Sequence, residues 1–284
     1  MDAVQLATFQ AVIETGSFEA AARALHVTPS AVSQRIKALE QDVGQVLVRR
    51  ARPCVATGAG QSLVRLAGQI ALLEREALAA ARGVPGSGGR TRISVVVNAD
   101  SLHSWFLPAL AALPADLALT FEVHQDDEDH TTELLRAGTA MAAVTAQHVA
   151  VQGCRVETLG AMRYLAVAAP EHFAGFTGTP MLVFNRKDRL QHRFLEALGH
   201  AELDPPINYV PATHAFAEAI RLGLGWGSMP EQMARADIAA GRVVDVAPGR
   251  HLDVPLYWQY WRMESTALTA LTTAVKAVAA GALR

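Results

Sequence analysis

A glycine- and proline-rich stretch at residues 83–90 divides the chain into two parts with different sequence patterns. Five of its eight residues are Gly or Pro, and no hydrophobic periodicity continues through it, which is typical of a linker or hinge. Before it the periodicity is helical, and after it strand-like and helical segments alternate. The 284 residues are enough for two or three packed units. We therefore expect one unit at 1–58, a linker helix and hinge at 59–90, and a larger unit at 91–284.

Two short helices joined by a tight turn are predicted near the N-terminus. Ser17 is placed as an N-cap of the first helix, Thr28-Pro29 begins the second, and Gly44 ends it. The apolar positions recur at helical spacing, and they are Phe18, Ala21, Ala22 and Leu25 in the first helix and Val32, Ile36, Leu39 and Val43 in the second. This pattern predicts a helix-turn-helix.

The second of these helices is suited to a DNA major groove. Ser30, Ser33, Gln34 and Lys37 are polar and face outward near its N-terminus, where Gln can pair with adenine and the helix dipole favours phosphate. The basic turn at 49–53 resembles a wing that reaches the DNA backbone or the minor groove. The alternative is a surface helical hairpin with a solvated basic turn. Helix pattern, caps and wing occur together, so we favour DNA binding.

A long amphipathic helix is predicted from Ala59 to Arg82. At 1.5 Å per residue it is about 36 Å long. Its apolar residues alternate spacings of three and four, which is typical of a coiled-coil seam, and the predicted dimerisation residues are Leu63, Leu66, Ile70 and Leu73. We expect this seam to meet the same helix of a second chain. The alternative is an ordinary helix that packs within its own chain.

The larger unit has the rhythm of an α/β fold. Strands are predicted at 93–97, 117–123, 140–145, 164–168, 181–184, 208–211 and 256–261, with helices between most of them. The 194 residues of this unit are many for a domain built on a single sheet, so we predict two lobes with a cleft between them. Lobe I is predicted at about 91–162 and 257–284, and lobe II at about 163–256. Ligands of such folds bind at the carboxyl ends of strands.

Composition excludes several classes of protein. Hydrophobic residues make up 51% of the chain and charged residues 18%, which is a globular composition and not that of a disordered chain. The acidic start lacks a signal-peptide pattern, and no run is long enough to span a membrane, so we expect a cytoplasmic protein. Two cysteines one hundred residues apart indicate neither a disulfide framework nor a cysteine metal site.

Charge is distributed unevenly, and enzymatic motifs are missing. The net charge of −2 divides into +3 for residues 1–90 and −5 for 91–284, so only the first part suits a polyanion. The sequence contains no nucleophile elbow, phosphate-binding loop, zinc-protease pair or dinucleotide fingerprint. We predict a protein that is not an enzyme and that has no catalytic residues, no metal and no cofactor.

Two unusual segments have alternative interpretations. Residues 124–130 hold four acids between two histidines. They can be metal ligands, they can form a polar loop before a helix, or their carboxylates can face the cleft and pair with a cationic ligand. We prefer the last interpretation because the segment follows a strand. The aromatic run Tyr257, Trp258, Tyr260 and Trp261 can stack on bases, but a buried strand explains it better.

The N-terminal block resembles the winged helix-turn-helix of LysR-type transcriptional regulators. The resemblance covers Leu6 to Leu63 and rests on FQAVIETGSFEAAARALHVTPSAVSQRIKALEQDVG at 9–44 and on LVRRARPCVATGAGQSL at 47–63. Four later segments are similar to the lysine- and arginine-responsive ArgP/LysG branch of that family, and they are NADSLHSWFLPAL, FNRKDRLQHRFL, HAFAEAIRLGLGWGSMPEQM and LYWQYWR.

The resemblance implies a fold, partners and site residues. The fold is a winged helix-turn-helix, a long linker helix and a two-lobed α/β effector domain like the periplasmic binding proteins, assembled as a homodimer or as a tetramer of two dimers. The partners are a double-stranded DNA operator, a small-molecule effector and RNA polymerase. By position, DNA contacts fall to Thr28, Ser30, Ser33, Gln34 and Arg35 in the helix and to Arg50 or Arg52 in the wing. Pro29 and Gln34 stand where other members often have Gln and Arg.

The resemblance also implies a basic amino acid, lysine or arginine, as effector. Such a ligand needs a group for its carboxylate, acids for its two cations and an apolar wall along its stem. The candidates follow predicted strands, and they are Asp100, Ser101, Trp105, Asp126, Asp127, Glu128, Thr145, Asn185, Thr213 and His214. In the alternative, Ser101 only caps its helix and the acids only solvate a loop.

We therefore predict a DNA-binding regulator that senses a basic amino acid and controls an amino-acid exporter gene. One alternative is a LysR-type regulator of a different metabolite. Another is a solute-binding or enzymatic α/β protein with an incidental helical N-terminus.

Overall fold

The structure is a computed structural model that describes residues 1–82, 90–125 and 131–284. The first unit contains three helices, α1 (Ala3–Thr15), α2 (Phe18–Ala24) and α3 (Pro29–Val43), and a hairpin of β1 (Val48–Arg49) and β2 (Val55–Ala56). Its core is built from one apolar face of each helix together with Leu47 and Val48 of the hairpin. The predicted winged helix-turn-helix is confirmed.

Capping residues fix the helix ends of this unit where the sequence predicts them. Ser17 Oγ accepts a hydrogen bond from the Ala20 amide at 2.9 Å, and Thr28 Oγ1 accepts one from the Ala31 amide at 3.2 Å. Gly44 ends α3 with a φ of 73°, a backbone conformation that favours glycine. The turn between α2 and α3 is thus short and fixed, which sets the angle between these helices.

The linker helix α4 (Gly58–Arg82) agrees with the predicted helix, and its burial divides it into two faces. Val64, Gly68 and Leu72 are buried against the rest of the chain, whereas the predicted seam is half-buried at Leu63, Leu66 and Ile70 and exposed at Leu73. One face therefore packs within the chain, and a second is left more open from Leu66 to Leu73, while Leu63 at its start packs on the core of the first unit. Residues 83–89 of the predicted hinge lie outside the described residues.

Lobe I contains three parallel strands and most of the large buried core. The strands are β3 (Thr91–Val97), β4 (Leu119–Gln125) and β5 (Ala142–Thr145), with β3 between the other two. After β3 a continuous helical segment runs through α5 (Ala99–Ser101), a π-helical turn (Leu102–Phe106) and α6 (Leu107–Ala111), and a 3₁₀ turn (Ala115–Leu117) precedes β4. Helix α7 (Thr131–Ala137) precedes β5.

Two long antiparallel strands connect lobe I with lobe II. Strand β6 (Cys154–Ala168) pairs with β11 (Leu252–Trp261) from Cys154 opposite Trp261 to Tyr164 opposite Leu252. The sheet order is β10-β6-β11-β5-β3-β4, with β9 (Gly227–Pro230) also paired to β6 and β10 (Val244–Asp245) at the edge. The chain ends in α12 (Thr266–Ala282), which packs on lobe I. The proposed lobe boundaries fall inside β6 and β11 and remain a prediction.

Lobe II surrounds the second half of β6 with short elements. After β6 come a 3₁₀ turn (Pro170–His172), α8 (Gly175–Gly178), the parallel pair β7 (Met181–Val183) and β8 (Ile207–Tyr209), α9 (Leu190–Ala197), α10 (Thr213–Arg221) and α11 (Glu231–Ala239). Two smaller apolar clusters form its core.

The predicted strands differ from the structure most at β6 and β11, which both begin earlier than predicted, and at β9 and β10, which are not predicted. The prediction began β6 at residue 164, but pairing with β11 extends it back to Cys154 through half-buried polar positions. Strand β9 was not predicted, because its sequence, Gly-Ser-Met-Pro, has weak strand propensity, and pairing with β6 determines it. The aromatic run lies on β11 with Trp258 and Trp261 buried, which confirms the structural interpretation.

Candidate DNA interface and effector site

The recognition helix α3 presents most of the predicted DNA contacts to solvent. Thr28, Ser30, Gln34 and Lys37 are exposed, and Ser33 is half-buried. Arg35 differs, because its Nη1 lies 3.4 Å from Thr8 Oγ1 of α1 and the side chain is directed back toward that helix. The exposed residues form a polar surface near the N-terminus of α3 that no described part of the chain covers.

The wing is held next to α3 by contacts with the helices. Glu40 Oε1 of α3 accepts hydrogen bonds from the Leu47 amide at 2.8 Å and the Val48 amide at 3.2 Å, at the start of the hairpin. Arg50 places its guanidinium carbon 4.8 Å from the ring centroid of Phe18 in α2, a cation–π arrangement, and Arg52 is exposed. The wing therefore presents arginines from a fixed position.

A cavity lies between the two lobes and is lined from both, with about 360 Å³ of empty space when the part open to solvent is included. Lobe I contributes Asp100, which follows β3. Lobe II contributes the rest of the lining, which consists of Phe184, Asp188, Leu190, Gln191, Thr213, Phe216, Ala217, Ser228, Met229, Pro230 and Met233. The cavity thus combines apolar walls with a few polar groups, as small-molecule sites do.

Two carboxylates, one from each lobe, line this cavity. Asp188 is held in the loop after β7, where its oxygens accept hydrogen bonds from the Phe184 amide at 3.0 Å and the Leu190 amide at 2.8 Å. Asp100 Oδ2 accepts one from the Tyr164 hydroxyl at 2.8 Å. Burial raises the pKa of Asp100, and the nearby charge of Asp188 raises it further, although the Tyr164 hydrogen bond opposes both. Positive charge on a ligand in the cavity relieves this electrostatic cost.

Several buried polar atoms in and beside the cavity have no hydrogen-bond partner among the described residues. They include Ser101 Oγ, Gln191 Oε1 and Ser228 Oγ, and the three side chains are 0%, 1% and 4% exposed. Ser101 is the third residue of its helical segment and makes no capping hydrogen bond, contrary to the alternative in which it only caps the helix. Such atoms are costly to bury unpaired, which indicates a polar ligand.

The structure brings together three of the predicted effector residues and places others elsewhere. Asp100 and Thr213 line the cavity, and Ser101 is buried next to Asp100. His214 is exposed, with its ring centroid 6.1 Å from that of His103 in lobe I. The predicted acids Asp126, Asp127 and Glu128 lie outside the described residues.

Trp105, Thr145 and Asn185 require correction as cavity residues. Trp105 is 2% exposed and packs edge-on against Phe106 in the lobe I core, so it does not form the cavity wall. Thr145 is buried at the end of β5, where its Oγ1 accepts a hydrogen bond from the Gln147 amide at 3.1 Å. Asn185 Oδ1 accepts hydrogen bonds from the amides of Lys187 at 2.7 Å and Asp188 at 3.2 Å, so it shapes the loop that carries Asp188.

Asp188, Gln191 and Ser228 also line the cavity, although the sequence did not predict them as effector residues. Asp188 offered a signal, since it is an acid in the same strand-to-helix loop as the predicted Asn185. Gln191 is the second residue of α9, and Ser228 lies in β9, which is not predicted from the sequence. Neither residue has a local pattern that distinguishes it from a surface residue.

Metal and membrane sites are absent from the part of the chain that the structure describes. In residues 1–82, 90–125 and 131–284, no three His, Cys, Asp or Glu side chains are grouped to hold a metal ion. The acid-rich segment considered as a metal site falls mostly on residues 126–130, outside this part. None of the described helices has both the length and the apolar character that crossing a membrane requires.

Comparison with known families assigns both units. Residues 4–61 match the bacterial regulatory helix-turn-helix protein, lysR family, and residues 86–280 match the LysR substrate binding domain. The chain belongs to the LysR family. It is therefore a DNA-binding transcriptional regulator and not an enzyme, which excludes the solute-binding or enzymatic alternative.

Relatives of this LysR-family regulator resemble it over its full length. It is 49% identical to the HTH-type transcriptional regulator LysG of Mycobacterium tuberculosis, covering 100% of this chain and 95% of that protein. It is 41% identical to the lysine export transcriptional regulatory protein LysG of Corynebacterium glutamicum, with 100% of both chains covered. The structure of full-length C. glutamicum LysG with bound effector Arg matches with a TM-score of 0.81 at 39% identity, again over 100% of both chains.

Proposed function

We propose that this LysR-family regulator senses lysine or arginine in the cavity between its lobes and controls transcription of an amino-acid exporter gene. The observation that carries the proposal is the pair of carboxylates, Asp100 and Asp188, that line one small cavity from opposite lobes. The lining of that cavity, as far as the structure describes it, includes no Lys or Arg. A cationic ligand is therefore favoured over an acidic metabolite.

The remaining groups of the cleft suit the other parts of a free amino acid. Ser101 Oγ is buried without a described partner, and Thr213 begins α10, where the helix dipole favours an anion. These groups can receive the α-carboxylate while Asp100 pairs with the adjacent α-ammonium. Phe216, Met229 and Met233 provide an apolar wall for the aliphatic stem. The C. glutamicum relative, a lysine export regulator solved with Arg bound, supports the same ligand class and target.

The partners and the finer DNA contacts also belong to this proposal. Thr28, Ser30, Ser33, Gln34 and Lys37 contact the operator from α3, with Arg50 and Arg52 on its backbone. Arg35 stays a candidate from the family resemblance, although its side chain points toward α1. The open face of α4 pairs with a second copy to form a homodimer or a tetramer of two dimers. The protein works in the cytoplasm, where the DNA is, and meets RNA polymerase at the promoter.

Calorimetry with L-arginine, L-lysine and L-citrulline tests the effector proposal. Citrulline has nearly the shape of arginine but a neutral head group, so the wild type is expected to bind it much more weakly. Asp188→Asn is expected to lower arginine affinity by about tenfold or more and to leave citrulline little changed, because only arginine loses an ion pair. Asp204→Asn, at an exposed aspartate of the same lobe, is the control. No heat from either basic amino acid with the wild type would contradict the proposal.

A further inference from the structure

Two polar residues of lobe II, Gln191 and Ser228, line the cavity beside Asp188. Gln191 is the second residue of α9, one turn after the loop that carries Asp188. Ser228 lies on β9, opposite Ala166 of β6. Helix α9 packs against β9, and the two side chains line the same cavity from these different elements.

Both residues hold an acceptor atom that the described protein leaves without a partner. Gln191 Oε1 and Ser228 Oγ are buried and make no hydrogen bond to the residues that the structure describes. Gln259 is a buried glutamine whose side-chain amide is fully hydrogen-bonded within the chain. Its Oε1 accepts a hydrogen bond from the Val151 amide at 2.9 Å, and its Nε2 donates to the carbonyls of Gln147 at 2.9 Å and Val149 at 3.0 Å. Gln191 and Ser228 therefore differ from a satisfied core residue, and their acceptors await donors from a ligand.

We propose that Gln191 and Ser228 bind the cationic head group of the effector together with Asp188, and that they set a preference for a guanidinium over an ammonium. This inference rests on the proposed function, because it needs a basic amino acid in the cavity. Asp188, Gln191 and Ser228 offer a carboxylate, an amide carbonyl and a hydroxyl oxygen, and all three accept hydrogen bonds.

The geometry of the donors explains the preference. A guanidinium spreads five N–H donors over three nitrogens in one plane, so it can donate to acceptors on a helix, a strand and a loop at once. An ammonium donates from a single nitrogen, and it must bring every acceptor within hydrogen-bond distance of one point. Acceptors on three separate elements are suited to the wider group.

The test compares Gln191→Met and Ser228→Ala with the wild type by calorimetry with L-arginine and L-lysine. Each substitution keeps the approximate volume and removes the acceptor. Arginine affinity is expected to fall about tenfold or more in each variant, and lysine affinity by less, so that the ratio of the two affinities decreases. Gln41→Met and Ser62→Ala, at exposed positions outside the cleft, are the matched controls and are expected to leave both affinities unchanged.

Thermal unfolding without ligand separates a binding role from a structural one. Because each substitution removes an unpaired buried polar atom, the midpoint of the unliganded variants is expected to stay the same or rise. Unchanged arginine affinity in both variants overturns the inference, as does an equal loss for arginine and lysine, which places the two residues on the part that both amino acids share. A wild type that binds neither amino acid contradicts the proposed function itself.

Discussion

Asp100 bears the electrostatic cost of the unliganded cleft. It is held by the Tyr164 hydroxyl, faces Asp188 across the cavity and has a raised pKa, first because of its burial. The folded protein thus binds the Asp100 proton more tightly than the unfolded chain does. Stability contributed by the protonated group is lost as the pH rises through the pKa of the folded state, so ionised Asp100 destabilises the protein above that pH.

Asp100→Asn is therefore expected to stabilise the unliganded protein at pH 7 while removing effector binding. The amide oxygen of the new side chain can still accept the hydrogen bond from the Tyr164 hydroxyl. The amide has no charge, so there is no cost of burying a charge and no repulsion from Asp188. The free energy of unfolding is expected to increase by roughly 1 kcal/mol, which corresponds to a rise of about 2–4 °C in the thermal midpoint. The gain should vanish in acid, where Asp100 is protonated. Asp116→Asn, at an exposed aspartate, is the control, and a lowered midpoint for Asp100→Asn at pH 7 would show that its charge is needed for folding.

At the residue scale, the sequence predicted those cleft residues that follow a clear strand or begin a clear helix. Asp100, Ser101 and Thr213 meet that condition. Trp105 has the same local position, but the π-helical turn directs it into the lobe I core. Gln191 and Ser228 reach the cavity only because lobe II folds around β6, and no local pattern records that packing.

The linker helix has two faces with different surroundings. Arg65, Gly68, Leu72 and Glu76 recur at spacings of three and four, and all contact lobe I of the same chain. The predicted seam lies roughly 135° away around the helix axis, given 3.6 residues per turn, and its residues are Leu63, Leu66, Ile70 and Leu73. The leucines of the seam made that face predictable from the sequence. The face that contacts lobe I could not be predicted, because its contacts depend on a glycine and on charged side chains.

Ile70→Glu is expected to dissociate the oligomer and to weaken operator binding strongly. A charge in the centre of an interchain seam is costly to bury, and a single head contacts only one half-site. Sedimentation velocity gives the mass, and a gel shift gives the operator affinity. Glu74→Ala, on an exposed part of the same helix, is the control. An intact oligomer for Ile70→Glu would mean that the seam is not the interface between chains.

The wing gives a separate prediction for the DNA interface. Arg50→Ala with Arg52→Ala is expected to weaken binding to all sequences alike. The slope of log affinity against log salt is expected to flatten by about 1.8 for each DNA-bound head, because each subunit loses two phosphate contacts. Arg136→Ala with Arg193→Ala removes the same charge from exposed positions in the effector domain. A salt slope equal to that of the wild type would remove the wing from the DNA interface.

At the scale of the whole molecule, head, linker and lobe I are docked on one another. Gly68 packs so closely on Trp261 that a Cβ there would lie 2.6 Å from the ring. Glu76 Oε1 accepts hydrogen bonds from Ser265 Oγ at 2.7 Å and the Ala267 amide at 3.0 Å, at the start of α12. Arg92 of β3 pairs with Glu14 of α1 at 3.2 Å. A rearrangement of the lobes therefore has a direct structural connection to the DNA-binding head.

Glu76→Ala is expected to weaken this connection without removing the head or the cleft. The amides of Thr266 and Ala267 should exchange hydrogen faster, with a loss of about 1 kcal/mol, as for other capping residues. Operator binding without effector should persist, and the change in operator affinity on adding arginine should shrink. Glu74→Ala is again the control. Unaltered exchange together with a full response to arginine would contradict the coupling.

The order of the three units could be predicted from sequence, because each has its own periodicity and a glycine-rich break separates them. Their docking could not be predicted. Gly68 contacts Trp261 and Glu76 contacts Ala267, so each contact joins residues nearly two hundred positions apart, and only the completed fold brings them together.

The cap on α12 also has a consequence for synthesis on the ribosome. Glu76 is translated 191 residues before the Ala267 amide that it binds. Throughout that interval one face of the linker helix lacks its partner in the same chain, while the seam at 63–73 is already complete. The pairing of linker helices proposed above does not need the effector domain, so it can begin between nascent chains on neighbouring ribosomes of one messenger before either effector domain is complete.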